Sequence, residues 1–130
     1  MIGIDTNVLV RYFTLDDARQ IPLAVECIDS LSADSPGFIS LVVVVELVWV
    51  LEGSYKFGKK RIIEILEGML RSHELVLEQT DTLRQALRRF ETSCADFADC
   101  LIERCAHAAE CQNTLTFDRH ATSAGMRLLR

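Results

Sequence analysis

The chain has 130 residues, 49 % of them hydrophobic, which suits one well-packed domain and excludes a disordered chain or two ordinary domains. With 14 basic and 19 acidic residues the net charge is −5, which argues against a general nucleic-acid binder and confines any phosphate contact to local basic patches or to metal ions that offset the acids. The longest apolar run, Leu41 to Leu51, is too short for a bilayer and is interrupted by Glu46; five cysteines without a secretion signal point to reduced thiols in the cytoplasm.

Met1 to Asp5 reads as a short buried strand ending in an acid. Thr6 to Thr14 follows as a helix that Thr6 or Asn7 can cap. Ile21, Ala24, Val25, Ile28 and Leu31 recur at helical spacing, with Pro22 suited to a first turn. Ala33 to Gly37 is a turn and Phe38 to Ser40 a short strand. Four consecutive valines make Leu41 to Leu51 ambiguous. A strand from Phe38 would be overlong, however, and Ser40 can cap a helix, so a buried helix is expected. Lys59 to Arg71 carries a clear apolar stripe of Ile62, Ile63, Leu66, Met69 and Leu70. Then come a strand at Glu74 to Leu77, helices at Thr82 to Thr92 and Ala95 to Glu110, and a strand at Asn113 to Phe117. A short helix over Arg119 to Ala124, closed by Gly125, and a last strand at Arg127 to Leu129 complete the chain. Alternating strands and helices predict a single α/β domain over residues 1–130, with a parallel sheet of four to five strands flanked by helices.

Ligands of such sheets bind at the carboxyl ends of the strands, which is where Asp5 and Asp118 fall. Glu46 is the one charged residue in an otherwise apolar segment, where an unpaired carboxylate is costly; it needs a cation, a hydrogen-bonding partner or a shifted pKa. In the helix from Ala95, spacing puts Phe97, Ala98, Leu101, Ile102, Cys105, Ala108 and Ala109 on one face. Asp96, Asp99 and Glu103 lie within an arc of about 60° on the other side. Asp99 is at the edge of the apolar stripe, and Asp96 and Glu103 are further toward solvent. Converging acids without matching bases repel one another, and Mg²⁺ or Mn²⁺ relieves that repulsion. A metal so held activates water and stabilises phosphoryl charge. Taken singly, Asp5 and Asp118 can equally be helix caps, and Asp96 and Asp99 ordinary surface acids.

The four acids and their settings resemble the PIN domain, and within it the VapC-type toxin ribonucleases of bacterial toxin–antitoxin pairs. Ile4-Asp5-Thr6-Asn7-Val8-Leu9 is similar to the family's opening. Glu46-Leu47 matches its second acid, Asp96-Phe97-Ala98-Asp99-Cys100-Leu101-Ile102 its third block, and Thr116-Phe117-Asp118 its fourth. The resemblance covers essentially the whole chain. It implies a three-layer α/β/α fold, Mg²⁺ or Mn²⁺, and hydrolysis of RNA phosphodiester bonds, with tRNA and rRNA among the candidate substrates. It also implies a homodimer and a cognate VapB-type antitoxin that blocks the site. Asp5, Glu46, Asp99 and Asp118 would hold metal and carry catalysis, and Thr6, Asn7 and Thr116 match supporting positions. Asp96 stands equally as a supporting acid or a surface one. Cys100, Glu103 and Cys105 depart from an alanine-richer helix and leave the acids intact. A related nuclease of nucleic-acid processing and a non-catalytic binding module of the same fold are the competing readings.

Basic residues cluster at Lys56, Lys59, Lys60 and Arg61, and at Arg84, Arg88 and Arg89; either set can meet RNA phosphates or be a solvated face. No Cys-x-x-Cys occurs, so zinc is not indicated. His73, His107 and His120 are isolated, and Leu47, Trp49 and Val50 are expected in the core or at a dimer contact.

Overall fold

Ser40 decides the fate of the valine run. Its hydroxyl accepts from the Val43 N–H at 3.3 Å, and the Leu41 N–H donates to Glu78 Oε1 at 2.8 Å. Two of the N–H groups that every helix start leaves orphaned are thus satisfied, and the segment folds as a helix, Leu41–Gly53, against the strand propensity of valine.

The computed structural model describes residues 1–130, in two compact units, Met1–Glu78 and Gln79–Arg130. The first contains β1 (Ile2–Gly3), α1 (Thr6–Thr14), α2 (Ile21–Asp29), β2 (Gly37–Ile39), α3 (Leu41–Gly53), α4 (Lys59–Arg71) and β3 (Leu75–Leu77). Its strands form a parallel sheet in the order β1-β2-β3, with Ile2 opposite Gly37 and Gly37 opposite Leu75. Each crossover is a pair of helices, α1 and α2 or α3 and α4, as parallel pairing requires. Gly37 is closely packed: a Cβ there would lie 2.9 Å from Leu31 Cδ1 and 3.0 Å from Ile4 Cγ1, and those side chains would have to shift. Leu9, Ile39, Val44, Leu47, Leu51, Ile62 and Leu66 are fully buried and form the core of this unit. The buried strand expected at the N-terminus is instead a sheet edge: Ile2 and Gly3 are exposed and burial begins at Ile4. The cap of α1 is Asp5, not Thr6 or Asn7.

The second unit contains α5 (Thr80–Thr92), α6 (Phe97–Ala108), β4 (Leu115–Thr116), a 3₁₀ turn (His120–Ala124) and β5 (Arg127–Leu128). The strands β4 and β5 pair in parallel, Leu115 opposite Arg127. Phe90 of α5 meets Phe97 of α6 edge-to-face with centroids 5.8 Å apart, a favoured aromatic geometry. Leu83, Ala86, Leu87, Cys100, Leu101, Ala121 and Ala124 are buried with them. Gly125 ends the 3₁₀ turn at φ 105°, a conformation natural to glycine.

The buried face of α6 is rotated from the one its spacing suggests. Phe97, Cys100 and Leu101 are buried, while Ile102 is 53 % exposed and Ala108 and Ala109 are exposed. Glu103, expected toward solvent, has a side chain only 12 % exposed and grips Arg104 through both carboxylate oxygens, at 2.6 and 3.0 Å. Every helix and strand is of the type expected, in an α/β fold of parallel strands and flanking helices, the strands pairing as three and two. No helix is long and apolar enough to cross a membrane.

Candidate active site

In the first unit the chain leaves β1 at Ile4 and turns into α1 at Asp5. The Asp5 Oδ1 accepts the Thr6 N–H at 2.8 Å, which caps the helix and fixes the carboxylate at the end of the strand; Oδ2 has no partner. Thr6 itself is buried, and its hydroxyl donates to Glu46 Oε1 at 2.7 Å. One threonine therefore ties the acid of α3 to the start of α1, because α1 packs directly on α3.

Glu46 is exposed, which corrects the expectation of a carboxylate sunk in an apolar helix. The helix is buried along Val44, Leu47, Val48 and Leu51, and its other face, with Val42, Glu46 and Trp49, is open. Trp49 is 77 % exposed and belongs to no core. The hydrogen-bonding partner of Glu46 within the protein is Thr6.

Asp5, Thr6, Asn7, Val10, Arg11, Glu46, Val50, Ser54 and Tyr55 line one open pocket of about 410 Å³. Arg11 and Tyr55 were not among the sequence candidates. Arg11 has a legible signal, since it lies one turn beyond Asn7 on the same face of α1. Tyr55, 44 residues away in the chain, has none.

In the second unit Asp96 caps α6, its Oδ1 accepting the Asp99 N–H at 2.9 Å. This places Asp99 in the first turn, half-buried. Burial pushes the Asp99 carboxyl above the usual carboxylate range, and the charges of Asp96 and Asp118 push the same way. Both charged neighbours that act on Asp99 are thus acids. Asp118 is exposed; its N–H donates to the Thr116 hydroxyl at 3.0 Å and its Oδ1 accepts the His120 N–H at 2.8 Å. One oxygen is spent on the turn and the other is open. The His120 side chain is exposed.

Asp5 with Glu46, and Asp96 with Asp99 and Asp118, are therefore brought together within their own units, and within neither do three side chains close into a ready-made metal cage. The donor chemistry nevertheless fits a hard divalent cation: open carboxylate oxygens, and an acid whose charge only other acids surround. Asn7 lines the first pocket. Lys59, Lys60 and Arg61 are exposed at the start of α4, with the Arg61 guanidinium 4.8 Å over the Phe57 ring. Arg84 and Arg88 are exposed on α5. Arg89 does not join them as a surface cation. It is half-buried and donates to the Ala124 carbonyl.

The family model for the PIN domain matches residues 2–125. A VapC ribonuclease of Aquifex aeolicus (strain VF5) is 24 % identical over 125 residues, covering 95 % of this chain and 92 % of the relative.

Proposed function

Because this chain belongs to the PIN domain family, we propose that it is a magnesium-dependent endoribonuclease, the toxin of a toxin–antitoxin pair, working as a single catalytic domain of residues 1–130. Relatedness to a VapC ribonuclease supports the substrate class. The observation that carries the chemistry is the setting of Asp99: a part-buried carboxyl raised by burial and by two further acids is a poor surface residue and a good cation ligand.

On this reading Asp5, Glu46, Asp99 and Asp118 hold Mg²⁺ or Mn²⁺, which when bound supplies Lewis-acid stabilisation of phosphoryl charge and a more acidic water. The chain's own residues do the positioning. Asp96 fixes the first turn of α6 and so the direction of Asp99. The Thr6 hydroxyl orients Glu46, and the turn through Thr116 and His120 orients Asp118. Lys59, Lys60, Arg61, Arg84 and Arg88 supply positive charge for the RNA backbone on a chain of net charge −5. The finer partners, a VapB-type antitoxin and a second copy of the chain, and a cytoplasmic location belong to the same proposal.

The test is cleavage of RNA by the purified protein with Mg²⁺, with chelator, and by Asp5→Ala and Asp99→Ala. Cleavage by the wild type alone, lost with chelator and in both variants, is expected. Cleavage retained by either variant overturns the assignment.

A further inference from the structure

The pocket of the first unit is not purely acidic. Arg11, on the face of α1 that carries Asn7, shares its lining with Asp5 and Glu46. The guanidinium is held from two sides. Its Nε donates to Gln20 Oε1 at 2.6 Å, and Nη1 donates to the Tyr55 hydroxyl at 3.3 Å and lies 3.5 Å from Asp16 Oδ1. Tyr55 in turn donates to Asp16 Oδ2 at 2.5 Å. That hydrogen bond is the main reason the Asp16 carboxyl is held below the usual carboxylate range. Nη2 has no partner, although the side chain is only 28 % exposed.

Two acids alone repel a polyanion. A guanidinium on the same pocket wall, already oriented by Gln20, Tyr55 and Asp16 and with its Nη2 amino group unpartnered, has a charge-assisted donor left for a phosphate oxygen. We propose that Arg11, positioned by Tyr55 and Asp16, binds a backbone phosphate of the substrate next to the bond being cut. This rests on the ribonuclease reading above and adds to it a residue that selects the register of the strand. Because that phosphate is not the reacting one, the contact is the same in ground and transition states, and its loss raises KM while leaving kcat nearly unchanged.

The experiment is binding of a short single-stranded RNA, read by fluorescence anisotropy across a salt series, in an Asp99→Asn background that does not cut. Arg11→Met, Arg11→Lys and Tyr55→Phe are compared, each first checked by circular dichroism for an intact fold. Arg11→Met is expected to weaken binding about 10- to 100-fold. It should also flatten the slope of log affinity against log salt by about 0.7, the signature of one lost phosphate contact on a single strand. Arg11→Lys keeps the charge and so the slope, but loses affinity with the planar fork. Tyr55→Phe disturbs the same network while keeping the guanidinium, so its slope also stays. A steady-state series with Arg11→Met alone should show the KM effect. If the parent binds RNA and Arg11→Met leaves affinity and slope unchanged, the inference fails and the ribonuclease reading stands. If the parent binds no RNA and the wild type cuts none, both fail together.

Discussion

Thr6→Val isolates the single hydrogen bond that joins α1 to the acid of α3. Valine has the shape of threonine and fills the same buried space, so the perturbation is the hydroxyl and little else. A hydrogen bond to a charged group contributes about 1.5–3 kcal/mol net. Glu46 is exposed, however, and water can replace the lost donor, so the lower part of that range is screened to about 1 kcal/mol. Unfolding entropy of about 2.1 cal/mol/K per residue gives roughly 0.27 kcal/mol/K for this chain. The expected fall in Tm is therefore about 4 °C. The same orientation energy, lost from the reacting complex, corresponds to about a fivefold loss of RNA cleavage. Thermal melts followed by circular dichroism, with cleavage assays on the same preparations, measure both, and Thr6→Ser should recover part of each. A Tm within about 1 °C of wild type together with full activity would refute the reasoning, since it would mean that Thr6 neither holds nor orients Glu46.

Asp99→Asn should abolish cleavage yet stabilise the metal-free protein at neutral pH. The folded carboxyl is raised above the usual carboxylate range, so the native state binds more protons than the unfolded one and its stability falls as pH rises through the folded pKa. In urea melts without metal, the advantage of Asp99→Asn over wild type should grow from acid to neutral pH; a constant difference contradicts the shift. Gly125→Ala places a side chain at φ 105° with its Cβ 2.8 Å from Arg89 Nη1, straining the backbone and displacing the Arg89 bond to the Ala124 carbonyl. A loss of about 1–2 kcal/mol in denaturant unfolding is expected, and an unchanged midpoint would contradict it.

The sequence by itself determined which elements form and in what order. Ser40 before the valine run, the apolar stripe of Lys59–Arg71 and Gly125 after the last turn are local signals, and local signals set helix limits whatever the surroundings. Asp5, Asp99 and Asp118 were legible because they stand at strand ends or a helix start, and Glu46 because it is the one charge in the run Leu41 to Leu51, all within motifs that resemble a known family. Which face of each helix is covered was decided by tertiary structure. Spacing fixes that Phe97, Leu101 and Ile102 are near one another, but only the packing of α5 and α6 leaves Cys100 inside and Ile102 out. In the same way the packing of α3 buries Leu47 and leaves Glu46 and Trp49 open, so an acid that looked buried is a surface group held by Thr6. The Arg11–Tyr55 pair spans 44 positions, and neither local sequence marks the other residue as its partner. Periodicity is a property of one helix, whereas burial and hydrogen-bond partners depend on elements that meet only when the chain folds.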